Sequence, residues 1–362
     1  MKKLFFIAAI AGAALVSCTK NEVAPVVAEQ SEITFATPVV GNQTKGSLVG
    51  ETYPTGHGDF KVYAWYHEGD YVHANATGYQ TFMNNVTVTY KSDIDDGTTT
   101  GSGAWHATPS YYWPKNENAK LSFDAYYPAT GITGTVSAKP EAGIQIKDFT
   151  VASECANQID VLVSARAWNK ENSTSGSNNT YDGVDIQFKH IMSSINFTVS
   201  TASDYGTGTI KIKDIIVSAD GKATFKQNIT GASIEAPIWE GWDANATYNV
   251  LTAADADAST SVTTTPASVG TEAILIPQEF NSTKTTITVK YYITNNSETP
   301  LLQTKTFELT TGTNATVDGT PGTIDGWEQG HKYTYNIVFT LNEVYFAPAV
   351  TEWVPVSVAP AI

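Results

Sequence analysis

Arginine is almost missing from this chain: Arg166 is the only one in 362 residues, and 21 Lys and Arg face 36 Asp and Glu for a net charge of −15. An acidic surface repels phosphate backbones and no basic block interrupts it, which excludes a nucleic-acid partner. Charged residues of both signs make up 16% of the chain, under the roughly 25% usual for soluble domains, while Thr, Ser, Asn and Gly crowd it. Long amphipathic helical stretches are absent as well, so strands and turns are the expected elements. What is present is apolar and aromatic. A hydrophobic share of 41%, with 18 Tyr, 14 Phe and 8 Trp, rules out a disordered chain and supplies core for about two domains.

Cysteine is equally scarce, at two residues. Lys2 and Lys3 precede an apolar run, Leu4 to Val16, which is too short to span a bilayer as a permanent helix and reads as a signal peptide. The run ends in Leu15-Val16-Ser17-Cys18, which resembles a bacterial lipobox, in which Cys18 is acylated and becomes the mature N-terminus. Lipidation leaves Cys155 without a partner, so no intrachain disulfide is expected. In Ser153-Glu154-Cys155-Ala156 no His is near in sequence, and Cys155 reads as a small buried side chain and not as a reactive thiol.

Catalytic patterns are missing too. No Gly-x-Ser-x-Gly, His-Glu-x-x-His, Walker or Gly-x-Gly-x-x-Gly motif occurs between a strand and a helix. The six histidines, His57, His67, His73, His106, His190 and His331, are dispersed and suggest no metal site. Asp93-Ile94-Asp95-Asp96-Gly97 has the flavour of a calcium loop, yet its twelfth position is Ala104 and not an acid, so it reads as a turn. Neither an enzymatic activity nor a cofactor is expected.

Organisation is legible from periodicity. A polar tether, Thr19 to Ser31, leads into a period-two segment that places Ile33, Phe35 and Val39 on one side. It runs into Gly41-Asn42-Gln43-Thr44-Lys45-Gly46-Ser47, a polar, glycine-flanked loop of the type most easily reached by a protease. Short aromatic and β-branched runs follow, at Phe60 to Tyr66, Phe82 to Tyr90, Ala119 to Tyr127, Ile144 to Val151 and Ile159 to Ala167. Gly, Pro, Asn and Asp clusters separate them, as in an antiparallel sandwich. A low-hydrophobicity stretch at 171–183 is the candidate linker. Beyond it lie Val184 to Phe188, Ser194 to Ser200, Thr209 to Ser218, Ala223 to Ile229, Ala273 to Ile276, Thr285 to Thr294, Thr304 to Thr310 and Lys332 to Leu341. The expected division is therefore a signal peptide (1–17), tether and removable strand (18–45), a first β-sandwich (46–170), the linker, a second β-sandwich (184–343) and a terminal strand (344–362).

The terminal strand carries one long apolar face: Val344, Phe346, Val350, Val354, Val356, Val358 and Ile362 share it with Pro348, Glu352 and Pro360. Such a face needs a partner. Pro355 and Pro360 cannot donate to a ladder, which puts this strand at an edge or at the border of a pairing. The aromatic groups Tyr63-Trp65-Tyr66, Tyr111-Tyr112-Trp113 and Tyr126-Tyr127 read mainly as residues alternating between the faces of a sandwich, with stacking on sugar rings as the other reading.

Taken in order, these segments resemble the fimbrillin-like (Mfa-like) lipoproteins of Bacteroides-type bacteria, which supply stalk, tip and anchor subunits of type V pili. The resemblance rests on the lipobox at Cys18; Phe60-Lys61-Val62-Tyr63-Ala64-Trp65; Tyr112-Trp113-Pro114 with Leu121 through Pro128; and Asp160-Val161-Leu162-Val163. It continues through Phe188-Lys189-His190-Ile191-Met192-Ser193-Ser194-Ile195, Ile274-Leu275-Ile276-Pro277-Gln278, and Trp327 to Gly330 with Tyr333-Thr334-Tyr335-Asn336-Ile337. It implies an all-β fold of two tandem transthyretin-like antiparallel β-sandwich domains, anchored in the outer-membrane lipid through acylated Cys18. It also implies proteolytic removal of the leading strand, at Lys45 and Gly46 here. The family's cut commonly follows an Arg, so a trypsin-like or Lys-specific enzyme is expected. The opened groove then accepts a donor strand from the next pilin subunit, for which Val350, Val354, Val356, Val358 and Ile362 are the candidates. The competing expectation is a surface-anchored lipoprotein that does not polymerise: a pilus anchor, a tip adhesin, or a binder of host or dietary glycan.

Overall fold

The structure, a computed structural model, describes residues 31–41, 43–44, 47–48, 51–53, 58–70, 78–91, 104–172, 183–203, 208–227, 229–230, 233–234, 238–281, 283–295, 299–340 and 344–353. Cys18, Lys45, Gly46, Val354, Val356, Val358 and Ile362 lie outside these residues, as does the Asp93–Gly97 segment. Apart from one 3-10 turn, Cys155–Asn157, regular structure among the described residues is strand. The protein is all-β.

Three large sheets carry the fold. The first orders Thr34–Phe35, Ala104–Thr108, Gln80–Lys91, Phe60–Glu68, Ala119–Tyr127, Leu162–Ser164, Gln187–His190, Val39–Val40 and Glu51–Thr52, with Ala167–Lys170 also on Ala119–Tyr127. The second orders Thr135–Lys139, Gly143–Thr150, Thr209–Lys226, Thr286–Thr294 and Leu301–Glu308, and Ile238–Thr252 adds to Thr209–Lys226. The third orders Ala267–Leu275, Ser193–Thr201, His331–Phe339, Val344–Glu352, Thr313–Val317 and Thr320–Ile324.

Period two explains how these sheets bury residues. In His331–Phe339 the alternate residues Tyr333, Tyr335, Ile337 and Phe339 are buried, a half-buried strand pattern. Phe60–Glu68 and Ala119–Tyr127 are buried on both faces. Phe60, Val62, Ala64, Leu121, Phe123 and Ala125 point into one core, and Tyr63, Trp65 and Tyr126 into a second one that also holds Ile144, Ile195, Ile215 and Tyr335. The first sheet is thus covered on both sides, and the grouped aromatics Tyr63, Trp65 and Tyr126 are core.

The lone arginine is a core residue as well. Arg166 Nη2 donates to Asp124 Oδ2 at 2.6 Å with neither side chain exposed, and Trp65 Nε1 donates to the same oxygen at 2.9 Å. Arg166 also donates to the carbonyls of Lys139 and Pro140. The guanidinium therefore ties the first sheet to the end of a second-sheet strand. A buried ion pair survives only when its remaining hydrogen-bonding groups are satisfied in this way.

Several expectations are corrected. Sheet membership does not divide at 171–183: residues 143–150 pair with 222–226 in the second sheet, whereas Gln187–His190 pairs with Leu162–Ser164 in the first. Three pairings are parallel and not antiparallel: Gln187–His190 with Val39–Val40, Ser193–Thr201 with His331–Phe339, and Thr313–Val317 with Val344–Glu352. Thr209–Lys226 is one strand and not two. Its Ala219-Asp220-Gly221 has turn composition, but Ala219 and Asp220 pair with Ala246 and Asn245 and the Gln278 side chain bonds the Asp220 backbone, which holds it extended, a tertiary override of local propensity.

Candidate strand-exchange site

The leading segment runs through a seam between two strand edges. On one side Thr34 and Phe35 pair with His106 and Trp105, Ile33 N donates to Tyr111 O at 2.8 Å, and Trp113 N donates to Ser31 O at 3.0 Å. On the other side Ala36, Val39 and Gly41 donate to the carbonyls of Val184, Ile186 and Phe188 at 3.1, 3.1 and 2.9 Å. One short segment therefore closes the first sheet. Without it, two edges would present unpaired backbone groups.

The hydrogen-bond register explains which side chains it buries. Ala36 to Val39 spans three residues against the two from Val184 to Ile186, so one extra residue is absorbed at Thr37-Pro38, where proline has no N–H to offer. The bulge shifts the phase. Ile33 and Phe35 are buried before it and Val40 after it, while Val39, expected on the same face, is only half-buried. Phe35 meets Phe60 and Phe123 edge-on with ring centroids 6.0 and 5.8 Å away. Fully burying Ile33, Phe35 and Val40 is worth about 5–9 kcal/mol before ordering costs.

Gly183 makes the close approach possible. Its φ is +99°, and a Cβ there would lie 2.5 Å from Ala36 N and 2.6 Å from Phe35 C. Further along, Gln43–Thr44 pairs with Ser47–Leu48 in antiparallel register, Thr44 facing Ser47. Lys45 and Gly46 come between those two strands in the sequence.

The terminal strand is placed differently from the expectation. Val344–Glu352 pairs along its length with His331–Phe339, and Ala349 and Val350 pair on the other edge with Thr316 and Val317. Val350 is buried in this sheet. It is thus a core residue of its own molecule and not part of a free donor segment, because both of its neighbouring edges are filled in cis. Trp353 follows this strand directly. That indole stacks on His190 at 4.0 Å, and its backbone N–H donates to Gly330 O at 2.6 Å.

The leading segment and the terminal strand meet at one cleft. Gly41 of the leading segment and Trp353, next after the terminal strand, both line a cavity of about 660 Å³ whose walls include Lys189, His190 and residues 277–279 and 325–331. Periodicity reached the leading strand and the tail, but neither carried a signal for their convergence.

Cys155 is buried and unpaired among the described residues, and burial pushes its thiol up to about 11. It takes no part in the site.

Comparison with known proteins is consistent with this architecture. The family model for fimbrillin-like proteins matches residues 51–353. A fimbrial protein from Bacteroides vulgatus superposes with a TM-score of 0.51 at 17% identity, covering 89% of this chain and 100% of that one. The tip fimbrial protein Mfa3 from Porphyromonas gingivalis, with a C-terminal truncation, matches at 10% identity and a TM-score of 0.36, covering 82% of this chain and 94% of that one. No curated protein matches the chain. The match over most of its length means that the chain belongs to the fimbrillin-like family, a family of pilus-related adhesion proteins of the cell surface.

Proposed function

We propose that this protein is a structural pilus subunit, exported as a lipoprotein acylated on Cys18, cut after Lys45 and polymerised by donor-strand exchange. The observation that carries the reading is the seam: residues 31–41 fill a gap between the edges at 104–113 and 184–188 and bury Ile33, Phe35 and Val40 there. A cut after Lys45 would turn that segment into an unlinked peptide held by its own contacts. A strand from the next subunit, drawn from Val354, Val356, Val358 and Ile362, would then regain both the apolar burial and the backbone hydrogen bonds. Such a head-to-tail contact does not close on itself and produces filaments.

The test treats purified precursor with a trypsin-like or Lys-specific protease and follows it by N-terminal mass spectrometry and electron microscopy. A new start at Gly46 followed by filaments is expected, with no filaments from a chain lacking residues 354–362. Clean cleavage that leaves only monomers sinks the proposal.

A second reading has an observation of its own. Val344–Glu352 is paired on both edges within its own sheet where Val350 lies, as suits an anchor or tip subunit that keeps its tail and stays lipidated. Diacyl or triacyl Cys18 on surface-sheared material would favour it.

A further inference from the structure

The cleft beside Trp353 has a lining that strand exchange does not require. Trp242 stands at its edge with 43% of its surface exposed. Its indole N–H donates to Pro277 O at 3.0 Å, so the ring is held in one orientation and its polar atom is already satisfied. An exposed aromatic face fixed in this manner offers stacking without the entropy cost of ordering it.

Around that face the polar groups are mixed, with Lys189, His190 and His331 on the wall beside carboxylates. Glu279, Asp325 and Glu352 line the cleft, and none of them has an ion-pair partner among the described residues. Gln329 lines the cleft as well, with its Oε1 turned away from solvent. These acceptors come from three separate chain segments, so a matching ligand carries donors spread around its periphery. A point cation such as a lysine ammonium concentrates its donors at one place.

From these groups we infer that the cleft is a binding site for an uncharged oligosaccharide, stacked by the C–H face of one pyranose ring on Trp242 and bonded through its hydroxyls to Glu279, Asp325 and Glu352. The volume of about 660 Å³ falls within the roughly 300–1,000 Å³ of sites that enclose small organic ligands. Sialylated and sulfated glycans are disfavoured, because their charge would face the carboxylates of Glu279, Asp325 and Glu352, which outnumber Lys189 in the lining, on a chain of net charge −15. The inference stands whether or not the protein polymerises.

The experiment presents the full chain to an array of neutral glycans, their sialylated and sulfated counterparts, and an oligolysine peptide, and then measures the best binders by calorimetry. Neutral glycans should bind and their anionic counterparts should not. Trp242→Ala should lower the affinity about tenfold or more, the size of one lost aromatic contact, with the thermal midpoint unchanged, and Trp242→Phe should restore most of it. Retention of no neutral glycan, equal binding of anionic ones, preference for oligolysine, or full affinity in Trp242→Ala would each overturn the assignment.

Discussion

His190 and Trp353 stack face to face, ring centroids 4.0 Å apart and planes 9° from parallel. His190 ends a first-sheet strand and donates from Nδ1 to Asp160 Oδ2 at 2.8 Å. The same strand holds Val39–Val40 on its edge. One strand therefore touches both the leading segment and the end of the terminal strand.

Removing the indole should loosen that end. An aromatic pair of this kind contributes about 0.5–1.5 kcal/mol beyond its buried area. Trp353→Ala is expected to speed amide exchange along Val344–Glu352 and to expose the tail to limited proteolysis, with little change in the first sheet. Identical exchange rates in the variant and the parent would show that the stack anchors nothing.

The bulge at Thr37-Pro38 predicts unequal costs along the leading segment. Phe35→Ala empties a site between Phe60 and Phe123 and should destabilise the protein by about 3–5 kcal/mol. Val39→Ala, half-buried, should cost under about 1.5 kcal/mol. Gly183→Ala drives a methyl into the Phe35–Ala36 backbone and should weaken retention of the segment without removing any of its side chains. Urea denaturation of the three variants decides the matter: equal losses for Phe35 and Val39 would refute the phase shift.

How much of this the sequence carried differs from place to place. Ala119–Tyr127 was readable to the residue because its apolar and aromatic run is bounded by turn residues. Ile33 and Phe35 were readable from their period-two alternation, but Val39 was not, since the register break depends on hydrogen bonds to Val184 and Ile186, residues about 150 positions away in the chain. The apolar face at Val350 announced that a partner was needed. Whether that partner belonged to the same molecule was fixed only by Tyr333 and Val317 filling the two edges. The Trp242 cleft has no local signature, because its walls come from segments distant in sequence.

Arg166 should be among the most sensitive positions in the chain. Arg166→Met strands Asp124 in the core and removes the link to the carbonyls of Lys139 and Pro140, a loss of about 3–5 kcal/mol for an uncompensated buried charge. Arg166→Met combined with Asp124→Leu should recover part of that loss. If the double variant is no more stable than the single one, the stranded carboxylate is not the cause.

Cys155 supplies a probe of folding state. Burial is the main reason that its thiol is pushed up to about 11, with Glu154 adding to the shift, so at pH 8 only about one part in a thousand is thiolate. Iodoacetamide should therefore leave Cys155 unmodified in the native protein and modify it quickly in denaturant, where the thiol returns to its ordinary range. A protein from which residues 31–41 have been displaced should stay just as resistant, because Cys155 packs in the core shared by the second and third sheets and not in the one that the leading segment closes. Rapid native alkylation, read by intact mass, would contradict that placement.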